Sequence, residues 1–187
     1  TGYAQNDLPE FLIFIIDSFH NALMREVEMT IKGNISNSTD KLAKECYTMM
    51  KQMYNKEYSE ILNIFYGIHV SQIKSITTKE RLSLCPEPFS ILNLSIPDKK
   101  EISLFDCLDL YCKCERLENE NAWRNDKTGQ KEAVDKGIVF WNLPNILIID
   151  LKRFTNNNNK ISCHIDIPIH NVDFSKYVKG YNKESYV

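Results

Sequence analysis

Six cysteines and four histidines are the side chains best suited to chemistry in this sequence, as metal ligands or as an activated thiol. The spacings argue against a metal. Cys112-Lys113-Cys114 is C-x-C, whereas a zinc knuckle uses C-x2-4-C so that two thiolates converge on one tetrahedral ion. A nucleophilic thiol needs a helix N-terminus or a neighbouring base to lower its pKa. Cys46 falls mid-helix on an apolar side, Cys163 on the inward face of an alternating strand, and Cys85 directly before Pro86. Cys107 and Cys112 belong to a helix that opens at Ser103, and His20, His69, His164 and His170 stand in no fixed relation to any of these thiols. From residue types and spacing alone, the chain shows no assembled active site and no cofactor site. Its cysteines are expected to be reduced thiols, with Cys107 and Cys112 buried.

The elements that would position any site centre on Ile138 to Phe154. Ile138–Trp141 and Ile146–Leu151 are short apolar runs rich in β-branched residues, the pattern of strands covered on both faces, with Asn142–Asn145 as a tight connection. The second run stops at Lys152-Arg153, where the strand leaves the core and delivers Phe154 to a rim. Upstream, Phe11, Leu12, Ile15, Ile16, Phe19 and Leu23 recur at helical spacing as one wide apolar stripe. Asp7-Leu8-Pro9-Glu10 starts that helix with an acceptor at the N-cap, proline in the first turn and an acid three residues on. A second helix from about Asp40 carries Leu42, Cys46 and Met50 on one side, and helical pattern resumes at Ile61 and ends near Gly67.

Strands follow. Leu92, Leu94 and Ile96 alternate with polar residues, and Cys85-Pro86-Glu87-Pro88 before them reads as a stiff turn. Ser103-Leu104-Phe105-Asp106 is a capping box for a short helix. Asn156–Asn159 read as a hairpin loop, with Ile161, Cys163, Ile165 and Ile167 alternating on a returning strand. Helices first and strands later make the class α+β.

Composition narrows the function. The 187 residues can bury a real core, and a formal charge of −2 gives no electrostatic reason to expect nucleic acid. No apolar run reaches the roughly 18 residues of a membrane span, and no secretory signal is visible. The expected compartment is cytoplasmic or nuclear, with no nucleic-acid or membrane partner; the oligomeric state is not legible.

A family resemblance runs along most of the chain. Gln5-Asn6-Asp7-Leu8-Pro9-Glu10-Phe11-Leu12 resembles the QQDAQEFL box of the ubiquitin-specific proteases, papain-like cysteine deubiquitinases. Phe65-Tyr66-Gly67, Glu87-Pro88-Phe89 and Leu92–Pro97 are similar to that family's F-x-G, EPF and L-x-L-x-I-P segments. Ser103–Leu108 with Glu115-Arg116-Leu117 resembles SL-x-DCL and E-x-L. Leu143–Ile149 with Leu151–Phe154 resembles LP-x-ILIIHLKRF, with Asp150 where histidine is common, and Asp173–Tyr177 resembles LDLS-x-Y. The boxes occur in the family's order.

The resemblance implies a right-hand architecture: a helical thumb over about residues 8–66, β fingers within 68–140 and a palm over 138–187. It implies ubiquitin or ubiquitinated proteins as partner. Asp7 and Glu10 would read the basic tail of ubiquitin by carboxylate–guanidinium pairing, and Phe154 would line the tail channel. The same two acids also serve the helix cap, which needs only one oxygen, and Pro9 replaces a glutamine of the family box. Many members tie the fingertips with zinc through two CxxC knuckles. Here those positions fall on Ser75 and Thr78, then Asn125 and Thr128, so an apo fingertip is expected. The family's nucleophile box (GNTCY-like) lies upstream of the first landmark and its histidine box (GHYTAY-like) downstream of the last. The chain therefore resembles the middle of a catalytic domain, and no hydrolase activity is expected of these residues alone. Two readings follow: a segment of a thiol isopeptidase, in which a histidine-activated cysteine forms an acyl-enzyme at the ubiquitin C-terminus, or a catalytically inactive ubiquitin-binding or scaffold module of the same fold.

Overall fold

A computed structural model describes residues 7–126, 128–155, 157 and 159–186. Gln5 and Asn6 of the first box, and Asn156 and Asn158 of the expected hairpin loop, lie outside the described residues. The class is α+β. Helices α1 (Leu8–Leu23), α2 (Ser38–Tyr54) and α3 (Glu60–Phe65) precede β1 (Gly67–Ser75), β2 (Arg81–Phe89), β3 (Ile91–Leu94) and β4 (Ile102–Ser103). Then come α4 (Leu104–Tyr111), β5 (Glu115–Leu117), β6 (Trp123–Arg124), β7 (Lys131–Glu132), β8 (Val134–Asn142), β9 (Ile148–Leu151) and β10 (Ile165–Asp166).

Local chemistry starts each helix. Asp7 caps α1 by accepting the Glu10 N–H, with Pro9 in the first turn. At α2, Asn37 Oδ1 accepts from Asp40 N while Asp40 Oδ2 accepts from Asn37 N, so the helix begins at Ser38, two residues before the sequence pattern places it. Ser103 and Asp106 form the expected reciprocal box on α4.

The main sheet has the order β2-β1-β8-β5, antiparallel throughout. Because successive strand residues face opposite sides, Phe140 and Trp141 enter different cores. Trp141 joins Ile68 and Val70 under Leu42, Ala43 and Cys46 of α2. Phe140 joins Phe89, Leu92, Leu94, Leu104 and Leu108 on the other face. A Cβ on Gly67 would sit 2.8 Å from Pro144 Cδ and 2.7 Å from the Phe89 ring, so only glycine fits where β1 leaves α3.

Three expectations are corrected. The runs within 138–154 do not pair with each other. β8 is interior to the main sheet and covered on both faces, whereas β9 is half-buried along its length and pairs in parallel with β3, Leu94 opposite Leu151. Leu143–Leu147 carries the chain between sheets rather than through a hairpin, and Ile146 N donates to Ile64 O at 2.8 Å. The Cys85–Pro88 stretch is strand, not turn. β2 is an edge, and Pro86 and Pro88 lie opposite Val70 and Ile68, where a missing N–H can face the open side. The segment after Phe154 does not return as a long strand. Among the described residues it makes one bridge, Phe154 to Lys160, and then β10 pairs in parallel with β4, leaving Ile167 52 % exposed. The apolar stripe of α1 is mostly open: Ile16 is buried, but Phe11, Phe19 and Leu23 are exposed. Period 3.6 shows that a face is apolar; the partner that covers it is a tertiary fact.

Candidate functional site

Asp7 and Glu10 lie together on the first turn of α1, both exposed. Polar contacts help attach α1 beside α3 and so aim this turn. His20 Nδ1 lies 2.7 Å from Ser59 Oγ, and Tyr66 Oη donates to Asp17 Oδ1 at 2.9 Å. Just past the helix, Arg25 and Tyr58 exchange both backbone hydrogen bonds, and the Arg25 guanidinium grips the Glu60 carboxylate through two of its nitrogens. Such bidentate pairing fixes direction as well as distance.

Phe154 is 66 % exposed at the exit of β9. Its presentation depends on Arg153, which the sequence places at the end of an apolar run and within the LKRF box. Arg153 Nη1 donates to Ile161 O at 3.1 Å and Cys163 O at 2.9 Å, while Ile161 N donates back to Arg153 O at 2.6 Å. With Arg153 turned inward as a clamp, the next side chain is left outside. A charged residue directly before an exposed aromatic at a strand end is the signal that could have found it. Among the described residues, no hydrogen bond, ion pair or ring contact joins Phe154 to α1.

The four knuckle positions sit in two turns of one design. In the first, Ser75 N donates to Glu80 O at 2.9 Å and Lys79 N to Ser75 O at 3.1 Å, while Thr78 Oγ1 accepts from Glu80 N. In the second, Asn125 N donates to Gln130 O at 2.9 Å and Gly129 N to Asn125 O at 2.7 Å, while Thr128 Oγ1 accepts from Gln130 N. The fifth residue of each is left-handed, Lys79 at φ +58° and Gly129 at +71°. Ser75 Oγ also accepts from Thr78 N, and Asn125 Nδ2 donates to Glu132 Oε1 at 2.8 Å. The four side chains close these turns by hydrogen bonding. Among the described residues, no group of three or more His, Cys, Asp or Glu side chains is placed to hold a metal ion.

The six cysteines are free: Cys46 and Cys107 are buried, Cys112 and Cys163 are half-buried, and Cys85 and Cys114 are exposed. Burial pushes the Cys46 thiol up to about 12 and the Cys112 thiol up to about 11. Cys85 is also raised, by desolvation and then by the Glu87 carboxylate beside it. These environments hold thiols protonated, the opposite of activation.

Comparison with known proteins draws the boxes together. The family model described as ubiquitin carboxyl-terminal hydrolase matches residues 1–186. The chain belongs to this family. Similar relatives include ubiquitin carboxyl-terminal hydrolase 5 of Saccharomyces cerevisiae, 27 % identical over 98 % of the chain and 23 % of the relative. Ubiquitin carboxyl-terminal hydrolase Usp2 of Drosophila melanogaster is 30 % identical over 100 % of the chain and 20 % of its own length. Ubiquitin carboxyl-terminal hydrolase 4 of Eremothecium gossypii is 29 % identical over 88 % of the chain and 20 % of the relative. The chain thus spans about a fifth of the length of the curated hydrolases it matches. In this segment the ordered boxes fall on the elements just described: the described part of the first on the N-cap and first turns of α1, F-x-G on the α3–β1 junction, and L-x-L on β3 beside β9, whose last residue opens the LKRF run.

Proposed function

We propose that the protein carrying this chain is a thiol-dependent deubiquitinase that cleaves the isopeptide bond after the ubiquitin C-terminus, acting in the cytoplasm or nucleus. The observation that carries this reading is the family match over nearly the whole chain. These residues supply the ubiquitin-holding part, with a thumb over about 8–66, fingers within 68–140 and palm over 138–187. Asp7 and Glu10 bind the basic tail, since both are exposed carboxylates on one turn, and Phe154 lines its channel as an exposed aromatic at a strand exit. The nucleophile is a cysteine other than the six here, in keeping with the raised thiols of Cys46, Cys85, Cys107 and Cys112.

The test is ubiquitin bearing a C-terminal electrophile, applied to the intact protein and to the 187-residue chain. One adduct on the intact protein, mapping to a cysteine outside this sequence, is expected, with the chain alone unlabelled. An adduct on any of these six cysteines overturns the assignment of the nucleophile. Ubiquitin binding without an adduct on the intact protein turns the reading to an inactive scaffold.

A further inference from the structure

A furrow on the α2 side of the main sheet belongs to none of the features above. It has two adjoining compartments, of about 510 Å³ and 310 Å³, with Ile35 and Lys44 lining both. The larger one runs between α2 and the start of β2 and is basic: Lys41, Lys44 and Arg81 against the single carboxylate of Glu45, on a chain of formal charge −2. Among the described residues neither lysine makes an ion pair. Arg81 Nη1 donates to Ser38 O at 3.0 Å, which fixes the guanidinium while leaving the rest of its fork for an acceptor.

The smaller compartment is apolar, with Ile31, Ile35, Tyr47 and Tyr181 among its walls. Ile35 is 51 % and Tyr181 54 % exposed. Its one acid, Asp40, is already engaged by Tyr181 Oη at 2.5 Å, Ser36 N at 2.8 Å and Asn37 N at 3.1 Å. That same bond, with the edge-on contact of Tyr181 to Trp141 at 5.5 Å, holds the wall in place.

We infer that this furrow docks a short acidic peptide segment of a partner protein, with one bulky apolar side chain between Ile35 and Tyr181 and neighbouring carboxylates against Lys41, Lys44 and Arg81. Charge complementarity selects the sign: Lys41 and Lys44, outside any ion pair among the described residues, and Arg81 attract carboxylates and repel a basic segment, so this surface differs from the Asp7–Glu10 turn. The apolar compartment beside them favours a peptide over a bare polyanion, which has nothing to place there. The furrow's walls offer side chains for recognition, and further along β2 Pro86 and Pro88 remove donors from its open edge.

The experiment is fluorescence anisotropy of the intact protein with a labelled peptide holding one leucine among aspartates and glutamates. Micromolar binding that weakens with salt is expected. Lys41→Glu with Lys44→Glu should weaken it about tenfold or more, and Ile35→Ser several-fold, without loss of the circular dichroism spectrum. A control peptide with lysine for each acid should not bind. Undiminished binding to the charge-reversed variant, equal binding of the lysine peptide, or no binding at all overturns the inference. So does binding of inorganic polyphosphate that matches the peptide and ignores Ile35→Ser, which marks a generic anion surface.

Discussion

His20 Nδ1 lies 2.7 Å from the hydroxyl of Ser59, and that hydroxyl is thereby withheld from capping α3. Ser59 stands at the N-cap position, fully buried, yet makes no side-chain cap bond. Its role is to tie α1 to α3. Ser59→Ala should cost about 1–2 kcal/mol through the lost tether. In a double-mutant cycle by urea unfolding, Ser59→Ala and His20→Ala should be clearly non-additive. Additive costs would show that the two side chains act separately.

Arg25 and Glu60 make the second tie, and it gives a pH signature. The guanidinium hydrogen bonds hold the Glu60 carboxyl down at about 2. A pKa lowered by folding means that the contribution is present above the ordinary carboxylate range and fades as pH falls toward 2. The pair is half-exposed, so its effect on stability is small. The carboxyl resonance of Glu60 should titrate near 2, and Arg25→Gln should move it up toward the ordinary carboxylate range. A midpoint unchanged by Arg25→Gln would remove the guanidinium as the cause.

These ties explain how much could be read from the sequence and how much could not. The caps at Asp7 and Ser103 were legible because donor and acceptor lie within one turn of chain. So was the alternation of Leu92 and Leu94, which a strand shows whatever its neighbour. Strand partners were not. β9 reads as a buried strand, but nothing local states that it pairs in parallel with β3 rather than returning to β8. The prolines of β2 argue for a turn until the strand is known to be an edge. At the candidate site, Asp7, Glu10 and Phe154 came from a resemblance, and the clamp of Arg153 on two carbonyls about ten residues on came only from coordinates.

The two tip turns make a matched pair for mutation. Lys79 and Gly129 occupy the same left-handed position, which strains a residue with a Cβ and not glycine. Lys79→Gly should stabilise by about 0.5–1 kcal/mol, less whatever its exposed 3.4 Å contact with Asp135 contributes. Gly129→Ala should destabilise by about 1 kcal/mol. Opposite shifts in thermal midpoint are expected; shifts of the same sign would mean the turns are not equivalent.

The proposed reading of the ubiquitin tail can be separated from the helix cap by changing charge without shape. Asp7 Oδ1 accepts from Glu10 N at 3.3 Å, and one oxygen is all the cap requires. Asparagine caps as well as aspartate, so Asp7→Asn keeps the helix start while removing the charge, and Glu10→Gln does the same for its neighbour. Alanine at position 7 removes both and should cost about 1 kcal/mol of stability as well. If the two carboxylates pair with arginines of the tail, Asp7→Asn and Glu10→Gln should each weaken ubiquitin binding to the intact protein roughly fivefold to tenfold. The loss should be largest at low salt and the thermal midpoint unchanged. Calorimetric titration at two ionic strengths measures this. Affinity that survives both substitutions, with only Asp7→Ala harmful, would leave these acids as the start of a helix and nothing more.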